Sequence, residues 1–141
     1  MSSVNLLSHE IIGAAMRVHT ALGPGLLESS YEACLEYELK KLHFVVDRQI
    51  HLPLRYDNVS IDCGYRIDLM IEKTILIEIK AVEILNPIHE AQLLTYLKLS
   101  KLSLGLLINF HVSHLRHGIK RLVHHYREET KTLTTEDITF G

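Results

Sequence analysis

The chain has 141 residues, of which 47% are hydrophobic and 23% charged, and these values are typical of one soluble globular domain. No apolar run reaches the ~18 residues that a membrane-spanning helix needs. The first ten residues lack the basic and apolar regions of a secretory signal, so we expect a cytoplasmic protein without membrane contact. The net charge of −2 argues against a protein that coats nucleic acid non-specifically. Cys34 and Cys63 are too few for a disulfide framework and are expected to be buried thiols.

Charge is unevenly distributed along the chain. Residues 86–127 carry six basic side chains and one acidic side chain, together with six of the ten histidines, whereas residues 1–85 are acidic overall. Such a segment is compatible with a phosphate-facing surface. Charge alone favours the simpler interpretation, which is a solvated face with ordinary charge scatter.

Two helices are predicted in the first 41 residues. Ser8 is a typical N-cap residue, and the apolar residues that follow it have helical spacing; they are Ile11, Ala15, Val18 and Leu22. The sequence Gly23-Pro24-Gly25 ends this helix. A second helix is predicted from about residue 26 to residue 41.

From Phe44 onward the pattern is extended, interrupted by one helix that begins at Asn86-Pro87. A strand or strand pair is predicted over 45–56, with Pro53 at an edge or bulge, followed by strands over 60–71 and 74–81 that are joined by a tight turn at Glu72-Lys73. The helix is predicted over 88–100. A strand buried on both faces is predicted over 102–110, and a last strand over 118–125. This order predicts an α/β sandwich with a mixed sheet. We expect a single domain over residues 1–141, with a core over about 5–125 and a polar tail over 128–141.

A charged triplet lies in the two predicted strands around Glu72-Lys73. Glu78 and Lys80 are two residues apart and share one face of their strand. In the simplest pairing of this hairpin Asp68 lies beside Ile77 and Glu78, and a bulge near Gly64 or a modest register shift puts Asp68 on the Glu78 face. Charges on a face that should be buried are costly unless they are paired or bind a metal. An exposed ion pair on an edge strand is the alternative.

These residue types suit phosphodiester hydrolysis. The carboxylates of Asp68 and Glu78 and the backbone carbonyl of Ile79 are hard oxygen ligands for Mg²⁺ or Mn²⁺. A bound cation polarises a phosphate and makes hydroxide available near neutral pH, while Lys80 positions the attacking water and offsets the developing charge. The triplet therefore predicts a metal-dependent phosphodiesterase site.

The spacing Asp68-x9-Glu78-x-Lys80 resembles the PD-(D/E)XK nuclease superfamily, with Ile67 in place of the name-giving proline. The segment from Gly25 through Glu28 to Tyr31 resembles the signature of the GxxExxY family within that superfamily. The resemblance extends over about residues 5–125. It implies the restriction-endonuclease-like αβββαβ core, which agrees with the order of elements predicted from the residues.

The resemblance also implies roles outside the triplet. Glu28 corresponds to a helix glutamate that reaches the metal in many superfamily members, although a favourable interaction with the helix N-terminus explains it equally well. Gln92 and Tyr96 lie one helical turn apart and resemble the QxxxY element that contacts substrate in RecB-like nucleases. A helix flank with a core tyrosine is the simpler alternative for this pair.

Three basic side chains are further candidates for substrate binding. Arg66 lies two residues before Asp68 on the same predicted strand face, where it can pair with a carboxylate or a phosphate. Lys120 and Arg121 belong to the basic segment and are candidates for phosphate binding.

The sequence thus predicts a Mg²⁺-dependent nuclease that acts on DNA. The alternative is a nuclease-fold module that binds nucleic acid or a partner protein and has weak or no turnover. A homodimer is compatible with the resemblance, because cutting both strands of a duplex needs two sites. Restriction, repair and recombination enzymes share this core, so the fold alone selects neither the substrate nor the mode of cleavage.

Overall fold

The computed structural model describes residues 3–125. Two helices come first, α1 over Ser3–Leu22 and α2 over Glu28–Lys41. The strands are β1 Val46–His51, β2 Leu54–Tyr56, β3 Val59–Ile61, β4 Arg66–Ile71, β5 Ile75–Lys80, β6 Leu104–Asn109 and β7 Ile119–Val123. Helix α3, Pro87–Ser100, joins β5 to β6, and a short 3-10 helix, Leu115–Gly118, precedes β7.

Five strands form the main sheet in the order β1-β4-β5-β6-β7. β5 and β6 are parallel because α3 returns the chain to the opposite end of the sheet, and the other neighbouring pairs are antiparallel. The predicted mixed α/β architecture is confirmed. β2 and β3, which lie between β1 and β4 in the chain, form a separate two-stranded ribbon.

The core lies on both faces of the central strands. Alternation along β5 directs Ile75, Ile77 and Ile79 to the face covered by α1 and α2, and Leu76 to the face covered by α3. All six residues of β6 are buried, as predicted for a strand with both faces covered. The charged end of β5 is therefore held by a strand that is packed on both sides.

The start of α1 differs from the prediction. Ser8 does not cap this helix, which begins five residues earlier at Ser3. Val4 and Leu7 pack against the core and extend the apolar stripe toward the N-terminus, so the helix includes the residues before Ser8. Ser8 itself is buried inside the helix.

Residues 60–71 do not form one strand. β3 ends at Ile61, and the chain passes through Gly64, whose φ of +76° interrupts the extended conformation before β4 begins. Cys63 lies in this connection and is exposed, and Cys34 is only half-buried, so the expectation of two buried thiols is wrong. Residues 45–56 form two strands, β1 and β2, with Pro53 between them; they belong to different sheets and do not pair with each other.

The predicted polar tail over 128–141 lies outside the described residues. Within residues 3–125 there is no helix with the length and apolar character needed to cross a membrane.

Candidate active site

The candidate site lies at the end of the β4–β5 hairpin that is remote from its turn. The backbone pairing of these strands extends from the turn to Leu69 and Ile77. The connection at residues 72–74 is one residue longer than the predicted two-residue turn, because Ile71 pairs with Ile75. The register is shifted accordingly, and Asp68 faces Glu78 through this shift and without a bulge near Gly64.

The two carboxylates anchor each other's strands. The Asp68 N–H donates to Glu78 Oε1 at 3.2 Å, and the Ile79 N–H donates to Asp68 Oδ2 at 2.8 Å. Beyond Leu69, hydrogen bonds from side-chain carboxylates replace the backbone pairing between β4 and β5. Each carboxylate uses one oxygen for this bond, and its second oxygen is available to a cation or another donor.

Burial makes negative charge costly at this pair. Loss of solvent raises the pKa of Asp68 to about 6, and burial together with the Asp68 charge raises the pKa of Glu78 to about 8. The ammonium group of Lys80 lowers the pKa of both carboxyls, because it stabilises their ionised forms. A divalent cation would supply positive charge at this point more strongly than one lysine does.

Asn109, the last residue of β6, fixes the backbone around Lys80. Its buried side chain accepts the Val82 N–H at 3.0 Å and donates to the Val82 carbonyl at 2.8 Å. The Phe110 N–H donates to the Lys80 carbonyl at 2.9 Å. Asn109 was not among the predicted site residues, although a single amide at the end of an apolar run over 102–110 signals a buried polar contact.

Glu28 reaches the same end of the sheet from the first turn of α2. Its Oε2 accepts the N–H of Ala81, the residue after Lys80, at 3.1 Å. This bond places a third carboxylate at the residue that follows Lys80. The bond also gives Glu28 a partner other than its own helix N-terminus.

Tyr31 fixes the loop that leads into α2. Its hydroxyl donates to the Gly23 carbonyl at 2.5 Å and accepts the Leu26 N–H at 3.1 Å. Its ring stacks on Phe110 with 4.5 Å between the ring centroids. The tyrosine of the GxxExxY-like segment therefore determines where α2 begins, and with it the position of Glu28.

Glu32, one turn after Glu28, is a further carboxylate of this region. It is 6% exposed, and it accepts hydrogen bonds from Arg48 Nε at 2.6 Å and from Gln49 Nε2 at 2.8 Å. The Glu32 charge also contributes to the raised pKa of Asp68. Glu32 and Gln49 were not predicted, although the spacing of Glu32 from the buried Leu35 on the same helix signals an inward position.

Gln92 and Tyr96 come together on α3. Gln92 Nε2 donates to the Tyr96 hydroxyl at 3.0 Å. Burial, followed by the charge of Glu78, raises the pKa of Tyr96 to about 12, so the phenol stays protonated at neutral pH. Because the Tyr96 oxygen accepts a bond from Gln92, its own proton remains available to an acceptor in the site.

The three basic candidates do not converge on the carboxylates. Arg66 is exposed, and its side chain forms no hydrogen bond or ion pair with residues 3–125. Lys120 lies in the same row of the sheet as Glu78, two strands away, and forms an ion pair with Glu90 of α3 at 2.9 Å. Arg121 lies on the opposite face and donates to Asn5 of α1 at 2.8 Å.

The donor set fits a hard divalent cation with few protein ligands. Within the described part of the chain, no three histidine, cysteine or carboxylate side chains are arranged to hold a metal ion by themselves. The half-buried Asp68 and the buried Glu78 nevertheless bring two carboxylates with raised pKa values to one point. Mg²⁺ commonly binds proteins through one or two carboxylates and keeps several waters, so this pair is sufficient for it.

Comparison with known proteins places this geometry in a family. A family model for the PD-(D/E)XK nuclease superfamily matches residues 5–122, which include Asp68, Glu78 and Lys80. No curated protein and no solved structure matches the chain. The superfamily suggests nuclease activity, and its members generally use divalent metal ions. Because the matched segment covers most of the chain, the protein belongs to the PD-(D/E)XK nuclease superfamily.

Proposed function

We propose that this protein is a Mg²⁺-dependent nuclease that hydrolyses phosphodiester bonds in DNA, with Mn²⁺ as an alternative cofactor. One observation carries the proposal: the half-buried carboxylate of Asp68 and the buried carboxylate of Glu78 meet at the open end of β4 and β5, beside Lys80. Superfamily membership supports the reaction class. We also propose that residues 1–141 form one domain and that it belongs to the GxxExxY family.

Asp68, Glu78 and the backbone carbonyl of Ile79 are the proposed ligands of the cation. The N–H and C=O groups of one strand residue point to the same edge, so the Ile79 carbonyl is directed toward β4 like the N–H that Asp68 accepts. When bound, the cation polarises the phosphate and makes hydroxide available near neutral pH. Glu28, held beside Lys80 through the Ala81 N–H, completes the ligand set directly or through a water.

The other side chains act on the water and the substrate. Lys80 positions the attacking water and offsets the charge that develops on the phosphoryl oxygens. The protonated Tyr96 hydroxyl, oriented by Gln92, donates a hydrogen bond to the substrate. Both roles require only groups that already lie at the open end of the hairpin or on the adjoining helix.

Basic residues at the edges of the site are proposed to bind the phosphates that flank the scissile bond. Arg66 is the best placed of them, because it begins β4 and its exposed side chain forms no hydrogen bond or ion pair within residues 3–125. Lys120 and Arg121 on β7 are more remote candidates, and both must exchange an existing bond for a phosphate. We propose a homodimer for cleavage of both strands of a duplex.

A cleavage assay with two matched lysine variants tests the proposed function. The full-length protein is incubated with Mg²⁺ or Mn²⁺ and with single-stranded, duplex, flap and branched DNA, and with RNA of the same sequences. Lys80→Ala is expected to lower the cleavage rate at least about a hundredfold. Lys73→Ala, at the turn of the same hairpin, is expected to leave the rate unchanged.

Two results would reject nuclease activity. One is the absence of cleavage of every substrate by the wild-type protein in either metal. The other is cleavage that persists unchanged in Lys80→Ala, since it would come from a different site or from a contaminant. Binding of DNA without any Lys80-dependent cleavage would support the alternative, a nuclease-fold binding module without turnover.

A further inference from the structure

Gln49 on β1 lies between two carboxylates from different parts of the fold. Its Nε2 donates to Glu32 Oε1 on α2 at 2.8 Å and, at the longer distance of 3.4 Å, to Asp68 Oδ1 on β4. The second oxygen of Glu32 is bonded to Arg48, and the second oxygen of Asp68 is bonded to the Ile79 N–H. The Gln49 amide is thus a direct link between α2 and the candidate metal-binding pair.

The chemistry of its neighbours fixes the orientation of this amide. An ionised carboxylate only accepts hydrogen bonds, whereas a glutamine amide has one NH₂ group with two hydrogens and one carbonyl acceptor. The NH₂ group must therefore face Glu32 and Asp68, with one hydrogen for each. The Glu32 and Asp68 side chains also contact each other, and this contact is one of the causes that raise the pKa of Asp68. The two Gln49 hydrogens offset the repulsion between these like charges.

The backbone of Gln49 has an unfavourable conformation. Its φ is +54°, in the left-handed region that residues other than glycine rarely occupy. The neighbouring residues Arg48 and Ile50 pair with β4 on either side, so the irregularity is confined to Gln49. Strained residues persist where surrounding contacts hold them, and they are concentrated at functional sites. Gln49 is held by these flanking backbone pairs and by the contacts of its side-chain amide with the two carboxylates.

We propose that Gln49 is a positioning residue of the metal site, an inference that rests on the proposed function. Its amide donates to Glu32 and to Asp68 and so orients both carboxylates, while the Ile79 N–H fixes the second oxygen of Asp68. Both oxygens of Asp68 are therefore oriented before a cation binds. Each carboxylate oxygen has two lone pairs, so the long contact from Gln49 leaves Asp68 Oδ1 able to bind the cation.

Calorimetric titration of the full-length protein with Mn²⁺ tests this role. Gln49→Met keeps the size of the side chain and removes the donor, and we expect its Mn²⁺ affinity to fall about tenfold, as for other residues that orient metal ligands. Gln49→Gly removes the donor and relieves the left-handed backbone. We expect the same loss of affinity in Gln49→Gly, without a decrease in the midpoint of thermal unfolding.

His43→Gly is the matched control for the change of backbone. His43 follows the C-terminal end of α2, at the opposite end of that helix from Glu28, and has a φ of +68°. Glycine relieves the same kind of strain at this position, so the thermal midpoint should be maintained or raised. The Mn²⁺ affinity of His43→Gly should equal that of the wild-type protein.

The outcomes separate positioning from packing, and both from a failure of the proposed function. A lower thermal midpoint for Gln49→Gly with unchanged Mn²⁺ affinity would make Gln49 a packing residue and overturn the inference. Wild-type Mn²⁺ binding that Asp68→Ala abolishes, combined with unaffected Gln49 variants, rejects the positioning role alone. A wild-type protein that binds no Mn²⁺ through Asp68 rejects the proposed function and this inference together.

Discussion

The β4–β5 hairpin has two ends that are built in different ways. At the turn, Ile71 pairs with Ile75, and the Thr74 N–H donates to the Ile71 carbonyl at 2.9 Å. At the open end the backbone pairing stops, and the carboxylates of Asp68 and Glu78 accept the backbone N–H groups instead. The same two strands are therefore joined by backbone at one end and by charged side chains at the other.

This difference separates stability from chemistry within one hairpin. Backbone bonds at the turn satisfy polar groups without adding charge, so that end contributes to the fold at little electrostatic cost. Carboxylates at the open end satisfy the same kind of backbone group but bring negative charge into a region of low solvent access. The hairpin does not need these carboxylates for its fold, and their negative charge is suited to binding a metal ion.

Glu78→Gln is expected to have the largest effect. Glutamine keeps an oxygen that can accept the Asp68 N–H but removes the charge of a proposed ligand. We expect loss of Mn²⁺ binding in calorimetry and a cleavage rate lower by about a thousandfold, which corresponds to the several kcal/mol that a catalytic metal contributes.

The turn provides a matched control for this change. Glu72 Oε2 accepts the Val45 N–H at 2.5 Å, so Glu72→Gln makes the same chemical change in a glutamate with the same kind of backbone partner. Its Mn²⁺ affinity and cleavage rate should equal those of the wild-type protein. Equal losses of Mn²⁺ affinity and cleavage rate in Glu72→Gln and Glu78→Gln would contradict the proposal that only the open end of the hairpin binds the metal.

Gly118→Ala is expected to be the most destabilising change next to the open end. A Cβ atom at Gly118 would lie 2.1 Å from the carbonyl oxygen of Asn109, the residue that pairs with Lys80 in the sheet. Backbone must move to accommodate it, which costs about 2–3 kcal/mol, a typical value for overpacking. Urea unfolding measures this loss.

Gly13→Ala is the corresponding control. Gly13 lies within α1, where an added Cβ meets only a side-chain nitrogen of Arg17 at 3.8 Å. Alanine should raise the free energy of unfolding by about 0.5–1 kcal/mol, because it has the higher helix propensity. An equal or larger gain in Gly118→Ala would show that the Asn109 backbone is not fixed.

The metal-free protein should lose stability as the pH rises from about 5 to about 8. The pKa values of Asp68 and Glu78 are raised to about 6 and about 8, whereas unfolded carboxyl groups titrate near 4. Between these limits the folded state binds more protons than the unfolded state, so its stability falls as the pH passes through the raised pKa values. We expect a decrease on the order of 2 kcal/mol in urea unfolding with a chelator present.

The variant Glu78→Gln separates the contribution of the Asp68–Glu78 pair to the pH dependence of stability from the contribution of the ten histidines. Its free energy of unfolding should decrease less than that of the wild-type protein over the same pH range. Mn²⁺ should reverse the trend in the wild-type protein, since metal affinity rises with pH when protons compete for the ligands. Identical pH profiles for the two proteins would contradict the raised pKa of Glu78.

Part of the contrast between the two ends can be predicted from the sequence. Strand alternation assigns Ile77 and Ile79 to one face of β5 and Glu78 and Lys80 to the other, because a strand has only two faces. Carboxylates in an otherwise apolar strand then require a partner, and that requirement leads to Asp68. The order of helices and strands along the chain follows from the same local patterns, whereas the order of the strands within the main sheet does not.

The register and the helix contacts could not be predicted, because they depend on longer-range geometry. Glu72 and Lys73 adopt φ values of +54° and +52° in the turn, yet neither is a glycine or asparagine, the residues that are typical of this conformation. The spacing of Glu32 on α2 indicates an inward position, but it does not identify Arg48 and Gln49 of β1 as its partners. These partners are 16 and 17 positions away in the chain, beyond the range of any helical or strand periodicity.

Lys73→Ala should have the smallest effect of these changes, and it tests the turn of the hairpin in the same way as the other variants test the open end. Lys73 Nζ lies 2.9 Å from Asp47 Oδ2, but 68% of the lysine side chain is exposed, so water and salt screen the pair. The loss should be below about 0.5 kcal/mol in urea unfolding and smaller still at high salt, as for other exposed ion pairs. Mn²⁺ affinity should not change. A loss above about 1 kcal/mol, or any change in Mn²⁺ affinity, would mean that charge at the turn also supports the open end, and the two ends could then no longer be treated as independent.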